Sequence, residues 1–464
     1  MKHVIIGGGI AGLYIGYQLY KKGEDFIILE KNPDINRGRL YSIISKPGAE
    51  YNQVENLRFT STVNNNFVLE MGASVIHENQ KLINELIKEL KLENSLEPIS
   101  NKTKTYFIHP TLKNKEAKQK WKEIKQNVYN NLPRLSPDYT LEEAAKEILN
   151  KEEFETFKLG TMEWYELNVQ NARTVKKAQL AEGQYYMFKK GIEEIVKTLT
   201  EKLKNYIYFE HQVDSIKRIT GPIASDLQVQ NLIENSLSYN DLITDNQTTD
   251  KYKIEGKEKN NKIFNIKCNK VYLCTDYTCA KNYIKYYNIP YISEYLNLGF
   301  DRCCYRFYVY FRRPVNIEYG YIYGDFELKW SIKINPQLWM ITYVDGPLSC
   351  KLNGYKEELL IRKWIHMVNR VFGETLNIND VVFWQGAFWK DAYTVLNKNF
   401  YSLVKDPRSL VNISQKGLSV STPRQNKYKG EIIRESLPES FVCTVLPKDI
   451  GENTAWIEAH LFKI

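Results

Sequence analysis

The chain opens on a short apolar run, His3-Val4-Ile5-Ile6, of the kind that a buried parallel strand makes. Glycines interrupt it at once, in Gly7-Gly8-Gly9-Ile10-Ala11-Gly12. A helical segment follows from Leu13 to Lys22, and Gly23 stands where a left-handed C-cap closes a helix. Asp25-Phe26-Ile27-Ile28-Leu29 then predicts a second strand, which ends at Glu30. Much further on, Leu141-Glu142-Glu143-Ala144-Ala145 predicts a helix, with Ser136, Pro137 and Asp138 just upstream as start signals. Between about Asn231 and Asn261 polar residues dominate with little apolar periodicity, which predicts a surface loop or hairpin extension rather than a domain. No internal repeat is evident.

Glycines 7, 9 and 12 satisfy G-x-G-x-x-G, and each has a physical task. The first permits the tight strand-to-helix turn. The second lets a pyrophosphate approach the backbone with no Cβ in the way, and the third lets the helix pack closely on the strand. The helix N-terminus offers unpaired N–H groups and a partial positive charge to phosphates. Glu30, at the end of the second strand, is placed to accept hydrogen bonds from ribose hydroxyls. Strand, glycine turn, helix, strand and acid in this order point to a bound dinucleotide.

Composition narrows the class. At ~150 residues per domain, 464 residues suggest about three units, or one large enzyme of two interleaved domains. Apolar residues at 43% and charged residues at 26% exclude disorder, collagen and coiled coil as whole-chain descriptions. Lys and Arg total 64 against 55 acids, a formal charge of +9, but they are scattered, so no nucleic-acid partner is expected. Seven cysteines (268, 274, 279, 303, 304, 350 and 443) include no C-x-x-C pair; the reading is neither a disulfide framework nor a zinc site, and a reducing compartment. The six histidines are isolated, so no metal is expected. No run of ~20 apolar residues exists to cross a bilayer, and Val4 to Ile6 is too short for a signal sequence. The expectation is a soluble, intracellular protein without membrane association. The richness in Lys, Asn, Ile and Tyr is that of AT-rich genomes, as in parasites, symbionts and large DNA viruses; a viral source would allow a place in the particle.

Beyond Glu30 come Asn32-Pro33-Asp34-Ile35-Asn36-Arg37-Gly38-Arg39 and later Phe67-Val68-Leu69-Glu70-Met71-Gly72-Ala73-Ser74-Val75-Ile76. Here the sequence resembles the flavin-containing amine oxidase superfamily, which includes monoamine and polyamine oxidases and lysine-specific histone demethylases. That family follows its ribose-binding Glu with a G-G-R turn and later an L-G-A segment near the flavin. The resemblance implies that Arg39 contacts the FAD diphosphate, a task suited to a bidentate, permanently charged guanidinium, and that Gly72, Ala73 and Ser74 lie by the flavin. Further matches keep the order. Gln184 to Ile192 resembles the segment that leads back into the FAD domain, followed by a helix through Leu199. Tyr206 to Phe209 and His211 to Ile216 resemble a strand and turn whose valine, here Val213, packs near adenine. Lys270 to Thr275 resembles the strand closing that segment. Ala455-Trp456-Ile457-Glu458-Ala459 is similar to the family's G-[YW]-x-E-G element, which lies over the flavin. The fold implied is α/β: a Rossmann-type FAD-binding domain (1–98, 182–290 and 405–464) interleaved with an α+β substrate domain carrying a mixed sheet (the helical stretch 99–181 and the aromatic, strand-rich stretch 291–404).

The same resemblance implies the chemistry. A hydride equivalent passes from the carbon beside an amine nitrogen to the flavin, and O2 reoxidises the flavin to give H2O2. The amine reacts in its neutral form, so apolar and aromatic walls are expected. Tyr305, Phe307, Tyr308, Tyr310, Phe311, Tyr319, Tyr321, Tyr323, Trp330 and Trp339 are available, although strand aromatics are more often core than cage. Family members commonly carry a lysine, linked through water to the flavin, on a strand reading K-x-x-x-x-F; here Arg306 takes the lysine's place. Of the two aromatic rings that frame the flavin, Trp456 matches one and Tyr393 the other, a shifted alignment giving Asn397 instead. A Gly-Glu pair expected shortly before the G-[YW] element is missing at the usual spacing: Gly451-Glu452 is too close and Gly430-Glu431 too far. Phe441 to Leu446 is the adjoining strand by pattern, and the last helix is cut short at Ile464. No cysteine lies between Cys350 and Cys443, so non-covalent FAD is expected. The sequence thus predicts an FAD-dependent oxidoreductase of a small amine or polyamine, with Arg306, Tyr393 and Trp456 as catalytic residues. The alternative, motivated by Arg306 and the altered C-terminal region, is a catalytically degenerate flavoprotein with a structural or interaction role. A desaturase or amino-acid oxidase relative is a third reading, the last requiring an arginine that faces a substrate carboxylate.

Overall fold

The computed structural model describes residues 1–34, 38–45, 50–53, 57–60, 67–78, 80–99, 103–161, 164, 168–170, 172–179, 184–218, 252–275 and 299–396, with short strands at 419–420, 427–428, 431–432 and 440–442. The strands His3–Ile6 and Phe26–Leu29 are buried at every position. Runs apolar on both faces suit only a strand covered on both sides, as in a parallel sheet. A six-stranded sheet takes them in the order Ile207–Tyr208, Phe26–Leu29, His3–Ile6, Lys270–Leu273, Ser440–Val442 and Ser419–Val420, and every pairing in it is parallel. The helix Ile10–Lys21 lies between the first two strands in sequence and is followed by Gly23 at φ +68°, the left-handed conformation that ends a helix cheaply only at glycine. This helix and Glu193–Leu203 bury Leu13, Ile15, Leu199 and Leu203 with Ile5, Phe26, Ile28 and Tyr272.

A second six-stranded sheet runs Val381–Leu396, Gly299–Phe311, Leu338–Asp345, Trp330–Lys333, Tyr321–Gly324 and Thr105–Ile108. It is antiparallel except at Tyr321–Gly324 and Thr105–Ile108, which pair in parallel, so the sheet is mixed. The long strand Gly299–Phe311 carries aromatics on both faces, and the structure sorts them by parity. Tyr305, Phe307 and Phe311 pack with Trp339 against Leu360, Trp364 and Val368 of the helix Glu357–Phe372. Tyr308 and Tyr310 turn the other way, onto Phe67, Leu69 and Met71 of the segment that begins with the strand Phe67–Glu70. Helices Asn114–Asn131, Leu141–Ile148, Lys151–Gly160 and Ala172–Gln179 form a separate apolar cluster around Val128, Leu141, Phe157 and Val175. No helix among the described residues is long and apolar enough to cross a membrane.

Two sequence expectations need adjustment and a third is narrowed. The helix at Leu141 starts from Thr140, whose hydroxyl accepts from Glu143 N while the Glu143 carboxylate accepts from Thr140 N, a capping box that supersedes Ser136-Pro137-Asp138. Of the two readings of the stretch 231–261, a surface loop or a hairpin extension, its described end fits the second. Tyr252–Glu258 is the central strand of an antiparallel sheet with His211–Arg218 and Ile263–Cys268, and it buries Tyr252, Ile254 and Gly256 while turning Lys253, Glu255 and Lys257 outward. The helix read through Leu199 continues to Leu203.

The second sheet depends on Trp364, which is fully buried, stacks on Phe311 at 5.3 Å between ring centroids and donates Nε1–H to Ser331 Oγ at 3.0 Å. Trp364→Ala is expected to cost about 3–5 kcal/mol from the cavity and the lost hydrogen bond, read as a lowered urea midpoint; a change below ~1 kcal/mol would contradict this packing.

Candidate active site and cofactor cradle

The glycine turn is built by close backbone contact. Gly7 donates to Leu29 O at 2.9 Å and holds φ +103°, and a Cβ there would strike the carbonyl of Cys274. A Cβ on Gly12 would fall on the carbonyl oxygen of Gly7. The fold itself therefore demands glycine at 7 and 12. Gly9 differs: its φ of −66° and ψ of −179° suit any residue, and among the described residues no non-neighbouring atom lies within 4 Å of where its Cβ would be. It is the N-cap of Ile10–Lys21, with no capping side chain and no acid in the first turn. Nothing among the described residues requires glycine here. A ligand diphosphate approaching the open N–H groups would, and the residues present fit that group.

Glu30 stands beside this turn, buried and oriented by three donors. Its Oε2 accepts from Gly8 N at 2.7 Å, and its Oε1 accepts from Asn32 N and Asn32 Nδ2, both at 2.8 Å. Its backbone meets the next strands, with Glu30 N donating to Tyr208 O and His211 N donating to Glu30 O, each at 2.9 Å. That brings the strand of Val213, itself buried, to the acid's side. Arg39 and the Gly72–Ser74 segment are back to back: Ala73 N donates to Arg39 O at 2.9 Å, and a Cβ on Gly72 would land on that same oxygen. Arg39, Ala73 and Ser74 are half-buried.

Between cradle and second sheet sits Glu70. Its carboxylate is buried, accepting from Ser42 Oγ at 2.6 Å and from Ile192 N, at the start of the helix Glu193–Leu203, at 2.9 Å. Its carbonyl accepts from Arg306 Nη1 at 3.0 Å and from Tyr308 OH at 2.7 Å. The Arg306 guanidinium lies 4.7 Å from the Tyr343 ring centroid, a cation–π contact, and makes no ion pair among the described residues. Burial alone would lower its pKa, but Tyr308 and Tyr343 hold it above its ordinary value, so it stays charged. Trp389 Nε1 donates to Met71 O at 2.6 Å from the neighbouring strand.

The structure thus gathers Gly7, Gly9, Gly12 and Glu30, joins Arg39 to Gly72 and Ala73, and brings Arg306 to the residue two before Gly72. Tyr393 lies in Val381–Leu396 and pairs with Arg302. Trp456, Ile457 and Asn397 lie outside the described residues, as do the Gly430 and Gly451-Glu452 positions. Sequence reasoning did not single out Glu70 or Trp389 for the site, and had Tyr308 only among the aromatics available for its walls. The signal for Glu70 was a charged residue ending an apolar run just ahead of Met71-Gly72.

The strand–glycine turn–helix–strand unit, with an acid at its end, is that of the α/β proteins that hold dinucleotides. Residues 10–178 match the family described as flavin containing amine oxidoreductase, the superfamily that the motifs resemble. The family implies a flavin cofactor, usually FAD, and a Rossmann-type fold around it. No curated protein matches the chain.

Two substitutions separate ligand from fold. Gly9→Val is expected to leave the thermal midpoint in place and to weaken flavin retention by about tenfold or more, measured by fluorescence titration of stripped protein. Gly12→Ala is expected to destabilise the fold itself by about 1–3 kcal/mol. Glu70 offers a pH test. Burial raises its pKa from 4.5 to about 7 against the opposing pull of Ser42, Ile192 and Arg306. The native state then binds more protons than the unfolded chain between those two values, so this carboxyl contributes stability at low pH that is lost as pH rises towards 7. Glu70→Gln should flatten that slope, by no more than ~3 kcal/mol across the window; an unchanged slope in urea melts at stepped pH would refute the assignment.

Proposed function

We propose that the chain is an FAD-dependent oxidoreductase that converts a small amine or polyamine to an imine, with O2 reduced to H2O2. The observation that carries this reading is the delivery of Arg306 from the second sheet to the carbonyl of Glu70, next to Gly72-Ala73-Ser74. A flavin resting by that segment and a substrate resting on the second sheet would then share one hollow. When bound, FAD supplies the two-electron acceptor and the reactivity with O2. The chain's own residues bind and orient. Main-chain N–H groups of the Gly7–Gly12 turn and the Arg39 guanidinium hold the diphosphate, and Glu30 accepts the ribose hydroxyls. Arg306 keeps a permanent charge at the flavin side, where its remaining N–H groups hold a water but pass on no proton. Tyr308 and Tyr343 keep bulk water from that end of the sheet, favouring the neutral amine. Tyr393 and Trp456 are our choice for the aromatic frame, and FAD is held without a covalent link. We read 1–98, 182–290 and 405–464 as the cofactor domain and 99–181 and 291–404 as the substrate domain.

A second reading, a flavoprotein without turnover, draws on the same arginine: its Nη1 and its face are both committed, to Glu70 O and to Tyr343, so it also serves as a clamp between elements. The two diverge in one experiment. Under the first, purified protein is yellow, its band at about 450 nm bleaches on anaerobic addition of an amine, and admitted air restores it with release of peroxide. Arg306→Ala should then slow bleaching by about a hundredfold while flavin stays bound. No bleaching across mono-, di- and polyamines would leave the second reading standing and overturn the first.

A further inference from the structure

Among the described residues, two thiols from separate elements meet. Cys303 lies in the strand Gly299–Phe311, where its pairing with Val381–Leu396 jumps register between Arg302 and Cys304. Cys350 lies on the helix Pro347–Asn353, and the two Sγ atoms are 2.9 Å apart. The main chain, not two wandering side chains, sets this approach. Gly346 N donates to Cys303 O at 2.8 Å, Cys303 Sγ donates to Gly346 O at 3.0 Å, and Ser349 Oγ donates to the same carbonyl at 2.6 Å. Gly346 itself holds φ +63° to turn the chain into the helix. Cys350 is exposed and Cys303 partly so, whereas Cys268, Cys274 and Cys304 are buried.

We propose that Cys303 and Cys350 are an oxidisable dithiol, a modification site at which a hydroperoxide converts the pair to a disulfide. With hydrogen peroxide, the exposed Cys350 thiol gives its proton to solvent and its sulfur, as thiolate, attacks one oxygen; the O–O bond breaks, a sulfenic acid forms, and the released hydroxide takes up a proton and leaves as water. Cys303 then attacks that sulfur, the S–S bond forms, the S–O bond breaks, and the hydroxide departs as a second water with the Cys303 proton. Sulfur loses two electrons in all and the peroxide gains them. A hydrogen bond to Cys303 holds the Cys350 thiol above its ordinary value, so the pair reacts slowly with peroxide. The bond would tie the strand that carries Arg306 to the helix that follows the strand of Tyr343. Cys303 is three residues before Arg306 on the former. The strand of Tyr343, Leu338–Asp345, runs directly into Gly346. Oxidation would therefore stiffen the end of the sheet that meets Glu70.

The test uses the whole chain, reduced, freed of reductant and exposed to a few equivalents of added hydrogen peroxide, so it is independent of whether the protein itself oxidises an amine. Free thiols are then capped with N-ethylmaleimide and the protein is digested without reduction. Mass spectrometry is expected to find the Cys303 and Cys350 peptides joined, two hydrogens lighter than their sum and separated by dithiothreitol. The thermal midpoint should rise by about 5 °C on oxidation. Cys303→Ser and Cys350→Ser, with native far-ultraviolet circular dichroism, should show neither change. Capping of both thiols after peroxide treatment would overturn the proposal. So would Cys350 reaching sulfinic acid while Cys303 stays free, or a bridge from either residue to another cysteine.

Discussion

One residue, Glu70, carries two kinds of hydrogen bond in opposite directions, and the relation of cradle to sheet depends on it. Its side chain looks back, to Ser42 and to the start of the helix Glu193–Leu203. Its carbonyl looks forward, to Arg306 and Tyr308 of the second sheet. A carboxyl group this deeply buried is held only where donors replace its lost water, and the donors here come from segments that are far apart in sequence. The same backbone then continues through Met71, whose carbonyl takes the Trp389 indole N–H, into Gly72, which touches Arg39. Through Glu70 the helix Glu193–Leu203, which packs with the opening dinucleotide unit, is thus linked to the second sheet.

The glycines divide by what demands them. At 7, 12 and 72 a side chain would collide with backbone, so the fold alone accounts for their identity. At 9 there is space and an ordinary backbone conformation. Glycine costs conformational entropy wherever it stands, and a position where the protein gains nothing from it points outward, to a group that must come close to the main chain. The match of residues 10–178 to flavin containing amine oxidoreductases starts within this turn and supplies the chemical class of that group.

Arginine at 306 changes the electrostatics of the site without emptying it of charge. A lysine ammonium is compact and can lose its proton when buried; a guanidinium remains charged and spreads that charge over a plane. The plane lies over Tyr343 and one edge reaches Glu70 O, so desolvation is met by a ring face and a carbonyl in place of a carboxylate. With no ion pair among the described residues to neutralise it, this cation favours electron-rich groups beside it, whether a water, a developing negative charge or an acidic substituent.

The sequence by itself determined the opening strand, turn, helix and strand, with Glu30 at their end, because each is a local matter: short continuous apolar runs, a helical stretch between glycines, a left-handed cap at Gly23, a turn too tight for a Cβ. Tertiary structure decided what required a partner. Gly299–Phe311 is aromatic on both faces, so no alternation could say which rings look to the helix Glu357–Phe372 and which to Phe67–Glu70; sheet neighbours and the register shifts fixed that. Tyr252–Glu258 does alternate, but the lysines and glutamates on its outer face hid the buried three until two flanking strands identified them. Glu70 could not be read as a buried hinge while Ile192 N, 122 residues on, was only a distant letter. Cys303 and Cys350 share no motif, and only the turn at Gly346 brings their sulfurs together.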